Sequence, residues 1–245
     1  VILRQNLPRV CELARHAERV LDVGGWRHGL NLATHVLDLQ PCTKSRLEPL
    51  DPENAPRVTP ETWVVHDACE APWPFPDKFF DFAFCSHLLE DVRDPLTVCA
   101  ELIRVAKAGY IETPSRQREI FSKARFFSLR AAFGRIPEVG FHHHRWFVEI
   151  EGNHVRFIAK DQRLLLDRRH FITRGDLGRK MTERESGVAL FWTDSFTFEE
   201  VFYEGTAWLA EYRDRALTTL RHYRRLDVLR PASSDLLRRT GNETV

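Results

Sequence analysis

Apolar residues recur at helical spacing from Leu7 to Val20, with Val10, Leu13, Ala14 and Ala17 on one face. The run closes in Val20-Leu21-Asp22-Val23-Gly24-Gly25, a short buried strand stopped by two glycines. His35-Val36-Leu37-Asp38-Leu39, Trp63-Val64-Val65-His66-Asp67-Ala68, Asp81 to Ser86 and Ala108 to Thr113 read as four further strands. Between the last two lies an amphipathic helix, Pro95 to Lys107, with Pro95 near its start and Leu96, Cys99, Ile103 and Val105-Ala106 inward. Residues 41–60 hold Pro41, Pro49, Pro52, Pro56 and Pro60 among polar residues, the composition of an irregular loop and a candidate lid. Strands alternating with a helix predict a parallel sheet of crossover units.

After residue 115 the pattern changes. Residues 116–135 are basic, aromatic and helical in pattern. Trp146 to Ala159 carries β-type residues on either side of Glu151-Gly152-Asn153, a hairpin signature. Val188 to Phe202 is strand-like around Thr193-Asp194-Ser195, and residues 206–223 make a helical face through Leu209, Tyr212, Ala216 and Leu220. The tail from Pro231 is polar, with the character of a frayed end.

The chemistry sits at strand ends. Gly24 and Gly25 present backbone without bulk after the first strand, where open α/β sheets admit ligands. Asp38 closes the second strand, and a carboxylate there can accept both hydroxyls of a ribose. Asp67-Ala68 closes the third, where an acceptor can meet an adenine amino group. Each feature alone is ordinary, since glycines make turns and aspartates cap strands. Three at successive strand ends point to a nucleoside-containing ligand.

These residues resemble the class I S-adenosylmethionine-dependent methyltransferases, especially the small-molecule branch. The densest match runs from His66-Asp67-Ala68 through Trp73-Pro74-Phe75 and Phe79-Phe80-Asp81-Phe82 to Ser86-His87-Leu88-Leu89-Glu90-Asp91-Val92. The resemblance covers about residues 15–115. Asp91 stands where that family often has histidine. The resemblance implies S-adenosylmethionine held by Asp22, Gly24, Gly25, Trp26, Asp38, Asp67, Ala68, Ser86 and His87, with Ser86 and His87 on the sulfonium side. One departure matters: the family usually carries Asp-x-Gly-x-Gly-x-Gly and a full helix before the second strand. Here Trp26 replaces the last glycine and only Trp26 to Thr34 separate the strands, against the roughly 10–12 residues of a complete crossover. The expected fold is thus α/β, a Rossmann-like methyltransferase sheet with a reduced first crossover helix and a C-terminal substrate-binding insertion. Arg27 or His28 could replace the field of the missing helix at the cofactor carboxylate. We expect a single domain: a cofactor-binding core at 15–115, a substrate-side insertion with terminal strands at 116–205, and a C-terminal helix and tail at 206–245.

A second constellation is Phe141-His142-His143-His144-Arg145-Trp146. Methyl transfer to a hydroxyl benefits from a base, and an ordinary histidine titrates near neutrality. If the segment is extended, His142 and His144 point one way and His143 the other. His144 is the expected base, with His142 or His143 holding substrate or a metal. Glu112, at the end of the fifth strand, would face the same crevice and with the histidines could hold Mg2+; Asp91 is a further candidate. The competing reading of the histidines is packing or plain surface. Trp26, Trp73, Trp146 and Trp192 are candidate platforms under a sugar, against core packing. Lys123, Arg125 and Arg130 read first as a solvated helix face. The Gly-Gly-Trp loop, the His-His-His-Arg-Trp run and the hairpin are similar to bacterial sugar O-methyltransferases, including those of methylated mannose polysaccharides. That resemblance implies a sugar or oligosaccharide hydroxyl, such as a mannoside, as acceptor.

Composition narrows the alternatives. Apolar residues are 43% of 245, and the formal net charge of +1 gives no electrostatic reason for a nucleic-acid or membrane-surface partner. No apolar run approaches the roughly 20 residues of a membrane span, and Arg4, Asn6 and Arg9 interrupt any signal-peptide core near the start. The five cysteines, Cys11, Cys42, Cys69, Cys85 and Cys99, lack Cys-x-x-Cys spacing, as expected of a reducing cytosol. The expected partners are a small-molecule acceptor and a second copy of the chain in a homodimer. The rival functions are a nicotinamide-dependent oxidoreductase, which would not explain residues 75–95, and a methyltransferase-like binding module without catalysis.

Overall fold

The computed structural model describes residues 3–25, 30–42, 57–122, 139–160, 167, 169–203 and 207–229. The expected roles of Trp26, Arg27 and His28, most of the proline-rich loop, Lys123, Arg125, Arg130 and the tail from Pro231 lie outside the described residues.

Helix α1 (Leu7–His16) buries Val10 and Ala14 and leads into β1 (Val20–Val23), every residue of which is buried. Strands β2 (His35–Asp38) and β3 (Trp63–Val65) follow outward, then the chain returns to β4 (Phe82–Ser86) on the other side of β1. Helix α2 (Pro95–Val105) begins at Asp94, whose side chain accepts the Thr97 N–H at 3.0 Å. It leads to β5 (Ala108–Pro114), against which β10 (Gly187–Thr193) lies antiparallel. The sheet order is β10-β5-β4-β1-β2-β3, with all pairs from β5 to β3 parallel. This is a Rossmann-like sheet, and its order reverses between β1 and β4, the crevice where such sheets bind ligands.

None of the described residues between β1 and β2 is helical. Asp22 reaches across this connection and accepts the Leu30 N–H at 2.6 Å.

Beyond β5 come α3 (Arg116–Glu119), β6 (Phe121–Ser122), β7 (Trp146–Glu151), β8 (His154–Ala159), β9 (Ile172–Thr173), α4 (Arg174–Leu177) and α5 (Glu183–Ser186). After β10 the chain adds β11 (Thr197–Val201) and α6 (Ala207–Leu229). The hairpin forms as the sequence predicts: Glu151 pairs with His154, and Gly152 takes φ +62° in the turn. The strand-like stretch from Val188 splits at Asp194 (φ +62°) into β10 and β11, which join different sheets. Period-two alternation makes the small sheet two-faced. Val148, Val155 and Phe157 enter the main core, while Phe147 and Ile158 pack with Tyr212, Ala216 and Leu220 of α6.

Two tryptophan expectations are corrected. Trp73 and Trp192 are 2% and 4% exposed in the main core and offer no platform to a sugar. Trp146 is half-buried, with its indole N–H given to the Val92 carbonyl.

Candidate functional site

The C-terminal ends of β1, β2, β3 and β4 bring the expected cofactor residues to one edge of the sheet. Gly24 adopts φ +77°, and a Cβ there would meet Leu88 Cδ1 at 2.9 Å. At Gly25 a Cβ would lie 2.5 Å from Asp22 Oδ2. Glycine at that position therefore lets the buried Asp22 carboxylate brace the loop from beneath. Asp22 thus touches the loop, not the open crevice.

Asp38 is buried and its Oδ1 accepts the Gln40 N–H at 2.7 Å. Beside it Leu39 is 64% exposed. A carboxylate next to an open apolar side chain suits a ribose joined to a flat base. The sequence signal for Leu39 was available, an apolar residue directly after a strand-end acid. Asp67 is more committed than its motif implies. Its Oδ1 accepts the Cys69 N–H at 2.8 Å and its Oδ2 pairs with Arg93, while the Ala68 carbonyl accepts the Trp73 indole N–H at 3.0 Å. Desolvation would raise the Asp67 pKa, but the Cys69 amide and Arg93 outweigh it and lower it. Across the switch point, the Ser86 hydroxyl is buried and has no hydrogen-bond partner among the described residues.

His87 follows with φ +55°. Its Nδ1 lies 3.2 Å from Glu90 Oε1 and its Nε2 3.2 Å from Glu112 Oε1, and both carboxylates are 1% exposed. Burial works against the imidazolium, yet the Glu112 and Glu90 carboxylates prevail and push the pKa up to about 9. Burial in turn raises the Glu90 pKa, opposed by His87. The raised His87 pKa also has a stability consequence. A group that binds its proton more tightly when folded stabilises fully below its unfolded pKa of about 6.5 and loses that contribution as pH rises through about 9. The melting temperature of the wild type should therefore fall relative to His87→Asn between those pH values, asparagine being chosen because it tolerates positive φ. Parallel melting curves across that window would refute the pairing.

The structure corrects two parts of the histidine reading. Residues 142–143 form a turn, not an extended strand, and His142 and His143 are exposed while His144 is buried. Glu112 belongs with His87, Tyr110 and the Leu3 N–H, not with the histidine run. The carboxylate near His144 is Asp91, with its Oδ1 3.8 Å from Nε2. On the other side Glu119 Oε1 lies 2.5 Å from His144 Nδ1, and Glu119 Oε2 accepts from Lys160 Nζ at 2.5 Å. Glu119 and Lys160 come from segments without a motif, so no local pattern announces them. Among the described residues Asp91, His143 and His144 are the one group whose ligand atoms gather, all within 4.8 Å of one another. Two imidazoles and one carboxylate suit a transition ion better than Mg2+, which prefers oxygen.

Residues 30–111 match the family described as a methyltransferase domain. The match runs from before β2 into β5 and so contains Asp38, Asp67, Ser86 and His87. No curated protein matches the chain. Among solved structures it is similar to the S-adenosylmethionine-dependent methyltransferase from Mesorhizobium loti, at 18% identity over 48% of this chain and 57% of that one, TM-score 0.34. It is also similar to the N-terminal domain of EvdMO1 with S-adenosylhomocysteine bound, at 19% identity over 48% and 52%, TM-score 0.34. The [4+2]-cyclase SpnF matches at 19% identity over 46% and 45%, TM-score 0.34. The chain spans about half the length of these structures. No described helix is long and apolar enough to cross a membrane.

Proposed function

We propose that the protein is an S-adenosylmethionine-dependent O-methyltransferase acting on a hydroxyl of a small molecule, with a sugar or oligosaccharide as the acceptor class. The observation that carries this reading is the convergence of Gly24, Asp38 with its exposed neighbour Leu39, Ser86 and His87 at the reversal point of the sheet inside a methyltransferase domain. The residues fit the cofactor: an acid for the ribose, the exposed Leu39 beside it for the base, and opposite them the Ser86 hydroxyl, which has no hydrogen-bond partner among the described residues. Cys11, Cys69, Cys85 and Cys99 carry free thiols, which supports a reducing compartment.

When bound, the cofactor supplies a methyl group on a positively charged sulfur. In this reading Glu90 and Glu112, held beside His87, are the acidic groups nearest that charge. The acceptor oxygen forms the new O–CH3 bond as the S–CH3 bond breaks, and its proton must leave. His144 is the base in this reading. Glu119 holds Nδ1 and leaves Nε2 to face the acceptor beside Asp91. His143 and His142, exposed on the adjoining turn, contact the acceptor. The donor set near His144 does not fit Mg2+, so no step is assigned to it.

The reading is tested by a transfer assay with methyl-labelled cofactor against sugars, phenols and amines. Label should appear on sugars and on neither amines nor phenols. Labelled amines would replace O- with N-methylation, and no labelled product in any class would favour a binding module.

A further inference from the structure

A cavity of about 430 Å³ opens beyond the end of β5, lined by Arg118, Phe121, Arg174, Lys180, Met181 and Ser186. Ser186 precedes β10, whose first residue pairs with Pro114, the last of β5. The cavity therefore lies past the same edge of the sheet at which Glu112 and His87 meet. Its three cations come from three separate segments, α3, α4 and the approach to α5.

Among the described residues none of the three is in an ion pair with a carboxylate. The nearby acids are engaged elsewhere. Glu119 holds His144 and Lys160, Glu185 holds Arg179, Asp176 accepts the Thr173 N–H at 2.8 Å, and Glu183 accepts the Arg4 N–H at 2.7 Å. Arg118 lies over the Phe141 ring, its Cζ 4.5 Å from the centroid, so the side chain is held in place without an acid. Burial holds its pKa below the ordinary value, with Glu119 opposing. Three like charges around one recess repel one another, and an anion relieves both that repulsion and the desolvation. A guanidinium fork matches the oxygens of a phosphate or carboxylate, and Phe121 and Met181 add an apolar wall.

We propose that this cavity binds an anionic group, a phosphate or a carboxylate, carried by the methyl acceptor. That the anion belongs to the acceptor rests on the methyl-transfer reading; that the cavity binds an anion does not. The acceptor is then an acidic or phosphorylated sugar. Its charged end is seated among Arg118, Arg174 and Lys180, and its hydroxyl is directed toward His144.

The test is calorimetry on the full chain with mannose 6-phosphate, mannuronate and mannose as probes. At least one anionic sugar should bind one to one, ten-fold or more tighter than mannose, and weaken as salt is raised. Whichever binds distinguishes phosphate from carboxylate. Arg118→Gln combined with Arg174→Gln should reduce that affinity at least ten-fold with S-adenosylhomocysteine binding unchanged. Lys180→Gln, at an exposed side chain, should reduce it several-fold. Equal binding of mannose and both anionic sugars, or an unweakened double variant with a normal melting temperature, overturns the proposal. If the anion binds but S-adenosylhomocysteine does not, the cavity stands and the methyl-transfer reading falls.

Discussion

Replacing His144 by alanine is expected to lower methyl transfer by about 10²–10⁴-fold, the scale of a lost general base. The imidazole is 6% exposed and fixed from behind, with Glu119 on Nδ1 and Asp91 3.8 Å from Nε2. Such a ring can take a proton only along one direction, which is what an in-line transfer requires. The affinity for S-adenosylhomocysteine should change little, because Asp38 and the glycine loop are untouched. A matched loss of turnover and cofactor affinity would mean that the variant is structurally damaged, not chemically disabled. If His143→Ala or His142→Ala is the severe variant, the exposed turn carries the base. Near-full activity in all three would return the histidines to packing and make Asp91 or Glu112 the next group to test.

The second large effect concerns stability. The Lys160 side chain is fully buried and Glu119 is 1% exposed. Removing one member of such a pair strands a charge in the interior, which costs about 3–5 kcal/mol. Glu119→Ala should therefore destabilise the fold by about that amount in urea unfolding, with Lys160 left on the Phe141 carbonyl alone. Glu119→Gln keeps a hydrogen-bond acceptor and should lose less. A loss below about 1 kcal/mol in Glu119→Ala would show that water reaches Lys160 and that the pair is not the anchor of the histidine segment.

The parallel sheet was legible because its strands are short apolar runs, the first three of them closed by glycine or aspartate. Such runs announce themselves when both faces are buried. The β7–β8 hairpin and α6 were legible for the same reason, through period two around Gly152 and through Leu209, Tyr212, Ala216 and Leu220. The site was legible only where it is local. Gly24, Asp38 and Ser86 sit at strand ends, so strand prediction places them. The group around His144 assembles Asp91, Glu119 and Lys160 from three separate stretches, and periodicity carries no information about such meetings. The turn at His142-His143 escaped because three consecutive histidines have no turn chemistry of their own. Asp67 looked open in sequence because Arg93, its partner, lies in the loop after β4.

The central claim is that the reversal point between β1 and β4 holds S-adenosylmethionine. Calorimetry with S-adenosylhomocysteine, and separately with NAD, tests it most directly. The account predicts micromolar binding of S-adenosylhomocysteine, no binding of NAD, and a loss of about 1.5–3 kcal/mol in Asp38→Ala, the worth of a charge-assisted hydrogen bond to the ribose. NAD binding in preference, no S-adenosylhomocysteine binding, or unchanged affinity in Asp38→Ala would contradict it.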